Sequence, residues 1–371
     1  MRSRSDSAIQ RGLLSWFRSH RRDLPWRRSR DPYRIWIAEV MLQQTRIAAV
    51  MPYYDRFLAR FPDFKSLARA RQESVLELWS GLGYYSRARN LHRAAQKIVA
   101  EHNSQFPRTL EEALDLPGIG RYTSAAVLSI AYEAPLAVLD GNVARVLARL
   151  DAIRGDLRAP KTWKRLGTRA QSLLALRAPG DWNQALMELG EVICTPQSPG
   201  CGDCPIAAHC RARKLGLVDE IPAPRKKPAQ VRQRIAAAIL RDPAGRTLLV
   251  ADPGAHDEVL FSRMWQFPAV EVVRDPHAEL ADHLHESLGI RADALQPLPA
   301  ARHGVTFRSI TLLPFLADVA ALPAIERTRI LPLTRLHREN RLPISSATRK
   351  IAAAALAKSK DCDAETSQNQ R

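Results

Sequence analysis

The chain has 371 residues, 46% of them apolar, enough material for two packed domains. Its 56 Lys and Arg against 38 Asp and Glu give a net charge of +18, which points to an anionic partner, nucleic acid first and an acidic membrane surface second. No run approaches the ~18 apolar residues of a spanning helix, and the Arg- and Ser-rich first thirty residues hold no apolar signal core, so neither membrane insertion nor a secretory signal is expected.

From about Arg11 to Leu217 the apolar spacing is helical. It predicts one helix over Ile35–Val50. A second starts at Thr109, where Thr109 and Glu112 have capping-box spacing. A third, over Arg121–Tyr132, is apolar on most sides and so should be central and buried. A fourth begins near Asp140, with Val143, Val146, Leu147 and Leu150 on one face. The stretch Glu220–Gln233 carries three prolines and four basic residues and reads as a linker. The pattern then changes to strands at Ile235–Leu240 and Thr247–Val250 around the turn Asp242–Arg246. A helix near Ala278–Leu288, a strand pair around Val305–Leu316 and an Ala-rich helix over Ser345–Ala357 follow. The expected layout is a mainly α domain over 1–219, a linker over 220–233, an α+β domain over 234–358 and a disordered tail over 359–371.

Four of the five cysteines are bunched as Cys194-x6-Cys201-x2-Cys204-x5-Cys210, with Cys362 alone in the tail. Such bunching favours a metal site in a reducing compartment over a secreted disulfide framework. Four thiolates within seventeen residues can hold zinc or an iron–sulfur cluster, although zinc ribbons usually offer two tight pairs and only one is present.

Leu116-Pro-Gly-Ile-Gly120 joins two helices by a glycine-containing turn. It is either a plain αα-hairpin turn or, with the backbone amides around Leu116, Gly118 and Gly120 at a helix N-terminus, a cradle for a DNA phosphate. Glu39 is the one carboxylate inside an apolar helical run. Burial would raise its pKa and make it a proton donor near neutral pH. Equally, it could be a core Glu paired with Arg27 or Arg46. Asp140 is placed to cap the helix that follows it. An acid on one side and a carboxylate on the other of an oxocarbenium-like centre is the pair that glycosidic cleavage needs.

Taken together, Trp36-Ile-Ala-Glu-Val-Met-Leu-Gln-Gln-Thr45, Pro52-Tyr-Tyr54, Gly81–Asn90, LPGIGRYT from Leu116 and VLDGNVARVLARL from Val138 resemble the adenine DNA glycosylase (MutY) family of the helix-hairpin-helix, endonuclease III-like superfamily. The resemblance runs from about Leu24 to Cys210 and includes the superfamily's x6-x2-x5 cysteine run, which implies a 4Fe–4S cluster on Cys194, Cys201, Cys204 and Cys210. It implies that Glu39 protonates adenine at N7, that Asp140 stabilises the positive sugar with help from Tyr122, and that Asn142 places the attacking water. Arg27 and Glu188 fall where relatives contact the flipped adenine. Gln43, Gln44 and Tyr84 fall among the duplex contacts, with Gln44 and Tyr84 as wedges. Relatives that also cut the backbone carry a lysine where this chain has Tyr122, so base removal should stop at an abasic site.

The second half resembles the family's Nudix-like domain, which reads 8-oxoguanine opposite adenine, and Met264-Trp-Gln-Phe-Pro268 resembles its (L/M)WEFP segment. The helix that would hold magnesium in a nucleotide hydrolase has Glu286 nearly alone, so no hydrolysis is expected. Thr306 can still donate a hydrogen bond to the opposite base, but Phe307 replaces the family's histidine. The resemblance implies a monofunctional enzyme acting on double-stranded DNA with A·8-oxoguanine or A·G mispairs, and a monomer is expected. Compartment logic adds a bacterial cytoplasm, close to the nucleoid through DNA, with an organellar address as the alternative because the N-terminus is Arg- and Ser-rich. The alternatives are a T/U·G mismatch glycosylase of the same superfamily and a non-catalytic iron–sulfur sensor of DNA damage. No membrane partner is expected.

Overall fold

The computed structural model describes residues 4–223, 230–251, 264–292, 294–305, 308–338 and 344–368. The helices of the first half are α1 (Arg4–His20), α2 (Pro32–Leu42), α3 (Ile47–Arg60), α4 (Phe64–Ala68), α5 (Gln72–Trp79), α6 (Tyr85–Glu101), α7 (Leu110–Leu114), α8 (Arg121–Tyr132), α9 (Gly141–Asp151), α10 (Pro160–Leu173), α11 (Pro179–Val192) and α12 (Arg211–Lys214). The chain packs as two units, Met1–Ala70 with Asn90–Lys226 and Arg71–Arg89 with Lys227–Arg371. The division differs from the expected domain over 1–219 in grouping Arg71–Arg89 apart from it. Arg71–Arg89 is gathered with the second unit because Ser80 and Tyr85 both donate hydrogen bonds to the Ile344 carbonyl, and Glu73 pairs with Arg329 at 3.1 Å.

In the first unit, α8 is buried from Thr123 to Ile130, as its nearly uniform apolar character predicts. One helix, α11, closes on α8 and on α9 through its glycines. A Cβ at Gly180 would lie 2.7 Å from the Ser129 carbonyl, and one at Gly190 would lie 2.8 Å from Asn142 Cβ. A helical glycine costs about 1 kcal/mol relative to alanine, and here the close approach of the helices offsets it. The expected helix over Ile35–Val50 is two helices. The chain leaves α2 at Leu42 and enters α3 at Ile47, with Gln44 between them at φ 58°. Thr109 caps α7 by accepting from the Glu112 amide at 3.3 Å, and Asp140 caps α9 by accepting from the Val143 amide at 2.7 Å. The apolar face expected of α9 is buried, and so are Arg145 and Arg149 on the same helix.

The second unit is built on an eight-stranded mixed sheet among the described residues, with β1 (Val231–Arg241), β2 (Arg246–Ala251), β3 (Trp265–Gln266), β4 (Ala269–Glu271), β5 (Gln296–Pro297), β6 (Ala301–Val305), β7 (Arg308–Asp318) and β8 (Thr328–Pro332). Strands β1 and β7 run parallel over their whole length, Val231 against Arg308 through Arg241 against Asp318. This pairing starts β1 inside the stretch read as linker. Helices α13 (Pro276–Leu288), α14 (Leu333–Arg338) and α15 (Ser346–Gln368) complete the unit. Alternation along β1 sends Ala237 and Ile239 into a core shared with Leu336 and Ile351, and Ala236, Ala238 and Leu240 into a core shared with Leu280 and Leu284. Both faces of the sheet are therefore covered, which is why β1 reads as a continuous apolar run. On α13, Glu279 accepts from the backbone amides of Val273 and Arg274. The tail expected to be disordered is helical as far as Gln368, since neither Gly nor Pro stands between Ser346 and Gln368 to end α15.

Candidate active site

Glu39 lies on α2 and is 7% exposed. It lines a cavity of about 460 Å³ together with Arg27, Gln44, Tyr122, Asp140 and Asn142. The sequence distributes these six side chains over more than a hundred positions, and the first unit's fold brings them to one wall. Apolar groups including Ile35, Leu42, Ile130 and Met187 line the same cavity.

Burial pushes the Glu39 carboxyl up to about 7, and the nearby Asp140 carboxylate adds to the rise. The Tyr122 hydroxyl works in the other direction, donating to Glu39 Oε2 at 2.9 Å, with the Met187 sulfur 3.2 Å from the same hydroxyl. Of the two arginines considered as partners of Glu39, Arg27 is engaged by Glu188, and Arg46 lines the same cavity. Asp140 has two places in the structure. It caps α9, and it lines the cavity. Burial raises its carboxyl above the usual Asp range, against hydrogen bonds from the first amides of α9. Asn142 Oδ1 accepts from Arg145 Nη2 at 2.9 Å, and the same guanidinium donates to the carbonyls of Gly190 and Cys194.

Glu188 needs a correction. It is 1% exposed, and both its oxygens are taken by guanidinium groups: Arg22 Nε and Nη2 at 2.7 Å each and Arg27 Nη2 at 2.8 Å. Burial alone would raise its pKa, but these hydrogen bonds bring it down to about 2. Glu188 is therefore a buried anion that orients Arg27, and Arg27 is the member of the pair on the cavity wall. The sequence reading missed Arg22, and it missed Gln184, Met187 and Glu191. Those three lie on α11 at helical spacing around Glu188 and do line the cavity. That i, i+3, i+7 spacing was the available signal.

The remaining predicted residues divide. Gln44 is exposed and lines the cavity, whereas Gln43 donates to Thr123 Oγ1 at 3.2 Å and ties α2 to α8. Leu116 is 2% exposed, so its side chain belongs to the core and only its backbone can meet a phosphate. Gly118 and Gly120 are exposed. Gly118 has φ 74°, and a Cβ there would stand 2.5 Å from Asn90 Cβ, so no other residue fits the turn. Gly120 caps α8. Tyr84 belongs to the second unit, is 39% exposed and has φ 49°. Thr306 and Phe307 lie outside the described residues.

The four bunched cysteines line one small cavity with Arg149, Arg213 and apolar side chains, and no carboxylate. Arg149 Nη1 lies 3.4 Å from Cys194 Sγ and donates to the Thr195 carbonyl at 2.7 Å, while Nε donates to the Ile221 carbonyl. Among the described residues no three His, Cys, Asp or Glu side chains stand ready to hold a single metal ion. The donor set, four thiols lining a mostly apolar cavity beside a guanidinium, nevertheless fits a thiolate-bound, negatively charged centre.

Residues 37–170 match the model of the HhH-GPD superfamily of base excision DNA repair proteins. The chain is 46% identical over 217 residues to the adenine DNA glycosylase of Rattus norvegicus, covering 56% of this chain and 42% of that protein. It is 36% identical over 347 residues to the adenine DNA glycosylase of Mus musculus, covering 80% of this chain and 66% of that protein. The chain thus spans about two fifths to two thirds of the length of these relatives. Among solved structures, a thermostable thymine-DNA glycosylase is similar with a TM-score of 0.53 and 29% identity, over 57% of this chain and 97% of that one. With a family-model match over α2 to α10, relatives more than a third identical over the aligned residues, and Glu39, Tyr122 and Asp140 lining one cavity, the chain belongs to the adenine DNA glycosylase (MutY) family of the endonuclease III-like superfamily.

Proposed function

We propose that this chain is a monofunctional adenine DNA glycosylase. It hydrolyses the N-glycosidic bond of adenine mispaired with 8-oxoguanine or guanine and leaves an abasic site. The observation that carries the reading is the meeting of Glu39, Tyr122 and Asp140 in one cavity, with the buried Glu39 carboxyl raised to about 7.

The chemistry follows from that arrangement. Glu39, held near pKa 7, carries a proton at neutral pH in a fraction large enough to act as general acid toward N7 of an extruded adenine. Protonation turns the base into a leaving group, and the C1′–N9 bonding pair departs with it. Positive charge then develops on the sugar. Asp140, whose ionised form is favoured by hydrogen bonds from the first amides of α9, stabilises this charge. Asn142, held by Arg145, is placed to orient water toward C1′. Tyr122 has no amine, so no Schiff base forms and the backbone stays intact. The Leu116–Gly120 turn and the +18 charge supply duplex affinity through phosphate contacts.

Cys194, Cys201, Cys204 and Cys210 would hold a 4Fe–4S cluster, which when bound braces the loop from α11 to α12 and takes no part in the glycosidic step. Arg149 would offset its negative charge. The second unit is read as a Nudix-like domain facing the base opposite adenine, with Thr306 as a donor. A second reading, thymine or uracil removal opposite guanine, draws support from the similarity to the thymine-DNA glycosylase. One assay separates the two: single-turnover base release from A·8-oxoguanine, A·G and T·G duplexes, each followed by borohydride treatment. The proposal expects adenine release from the first two and no trapped adduct. Release of thymine alone, or efficient trapping, contradicts it.

A further inference from the structure

Tyr84 combines two properties that rarely coincide. Its ring is exposed at 39%, and its backbone is left-handed at φ 49°, in a turn that also places Gly81 at φ 106° and Gly83 at φ 72°. A non-glycine residue in this conformation persists only where its surroundings hold it there, and such positions cluster where function needs a side chain presented in one way. The holding groups are on both sides of the turn. Trp79 Nε1 donates to the Gly83 carbonyl at 3.1 Å, and the Arg87 guanidinium lies 5.4 Å from the ring centroids of both Tyr84 and Trp79. Arg87 Nη2 donates to the Leu82 and Gly83 carbonyls as well.

The other side of the turn is tied to the far end of the chain. Ser80 Oγ and the Tyr85 hydroxyl both donate to the Ile344 carbonyl at 3.2 Å. Arg349 Nη2, from α15, donates to Ser80 Oγ at 3.1 Å, and Tyr85 Oη accepts from the Gly81 amide at 3.3 Å. Residues on each side of Tyr84 are therefore fixed by one carbonyl and one guanidinium more than 250 positions away in sequence.

We propose that, within the second unit, Ile344 and Arg349 set the Ser80–Tyr85 turn, so that the Tyr84 ring, the wedge that the family resemblance implies, is presented ready to insert between stacked bases of a DNA duplex. Ser80 and Tyr85 are then positioning residues and Tyr84 the inserted one. The proposal rests on the reading of this chain as an enzyme that extrudes a base from a duplex. It differs in that it concerns the distortion of the duplex and not the bond-breaking step.

The test uses the full chain and a duplex with 2-aminopurine beside an A·G mispair, a probe that brightens when unstacked. Ser80→Ala and Tyr85→Phe each remove one hydroxyl and little else. Tyr84→Ala and the Ser80→Ala/Tyr85→Phe double variant should each lose most of the brightening and bind about tenfold more weakly, the loss expected for one or two hydrogen bonds. The triple variant should be no worse than Tyr84→Ala, because the three changes remove one function. A double variant that brightens the probe as wild type does, or losses that add in the triple variant, overturn the proposal. Adenine release from the wild type is followed in the same samples. Brightening that depends on Ser80 and Tyr85 without adenine release supports the positioning role and contradicts the glycosylase reading. Adenine release with Tyr84→Ala matching wild type does the reverse.

Discussion

The Tyr122 hydroxyl donates a hydrogen bond to Glu39 Oε2 at 2.9 Å, across 83 positions of sequence. A donor to the ionised form lowers a carboxyl pKa, so this contact restrains the rise that burial imposes on Glu39. The rate of adenine release should therefore fall as pH rises through about 7, where Glu39 loses its proton. It should also fall on the acid side, at a pH above the usual Asp range, as Asp140 becomes protonated. Tyr122→Phe removes the donor and should move the alkaline limb to higher pH. Single-turnover rates between pH 4 and 9 for the two proteins check this, and a shift to lower pH would contradict it.

The Glu188 carboxylate bears on stability more than on chemistry. Removing one member of a buried ion pair costs about 3 kcal/mol, because the arginines left behind are partly desolvated. Glu188→Ala should lower the melting temperature accordingly. The pH dependence has a definite sign. The folded pKa of about 2 lies below the ordinary 4.5, so the contribution is fully present above pH 4.5 and fades as pH falls toward 2. The gap in melting temperature between wild type and Glu188→Gln should be widest at neutral pH and narrow below pH 4.5. A gap that widens on acidification would show that the ion pairs are not its source.

The hairpin glycines should separate by geometry. Gly118→Ala must strain a backbone at φ 74° and push a Cβ against Asn90. It should cost about 1 kcal/mol or more in stability and weaken binding to every duplex alike, since phosphate contacts carry no sequence information. Gly120→Ala meets nothing within 4 Å and should bind within about twofold of wild type. Filter binding or anisotropy on matched and mismatched duplexes distinguishes them, and equal behaviour of the two variants would remove the turn from the DNA interface.

Local patterns made α8 and α9 legible, because burial on most sides and an N-cap leave direct marks in sequence. Asp140 and the Leu116–Gly120 turn were readable for the same reason. What failed was long-range or concealed by composition. The break at Gln43–Arg46 contains neither Gly nor Pro, so apolar spacing on both sides runs together into one apparent helix. Arg71–Arg89 joins the second unit through Ile344, Arg329 and Arg349, partners that no local window can show. Glu188 carries an adenine contact by motif, yet Arg22 and Arg27 consume both of its oxygens.

The cysteine loop makes its own prediction. Purified protein should be straw-brown with a broad visible band, and Cys204→Ser should bleach it and lower the melting temperature, since all four thiols line the same cavity. Absorption spectra with iron and zinc analysis check this. A colourless wild type with stoichiometric zinc would reverse the assignment.

Everything in the proposed reaction depends on the proton of Glu39, so the direct test is single-turnover adenine release by Glu39→Gln on an A·8-oxoguanine duplex, with affinity for the same duplex measured alongside. Loss of a general acid should slow release by about 10²–10⁴-fold while duplex affinity stays within about threefold of wild type. Release within tenfold of the wild-type rate at unchanged affinity would contradict the account.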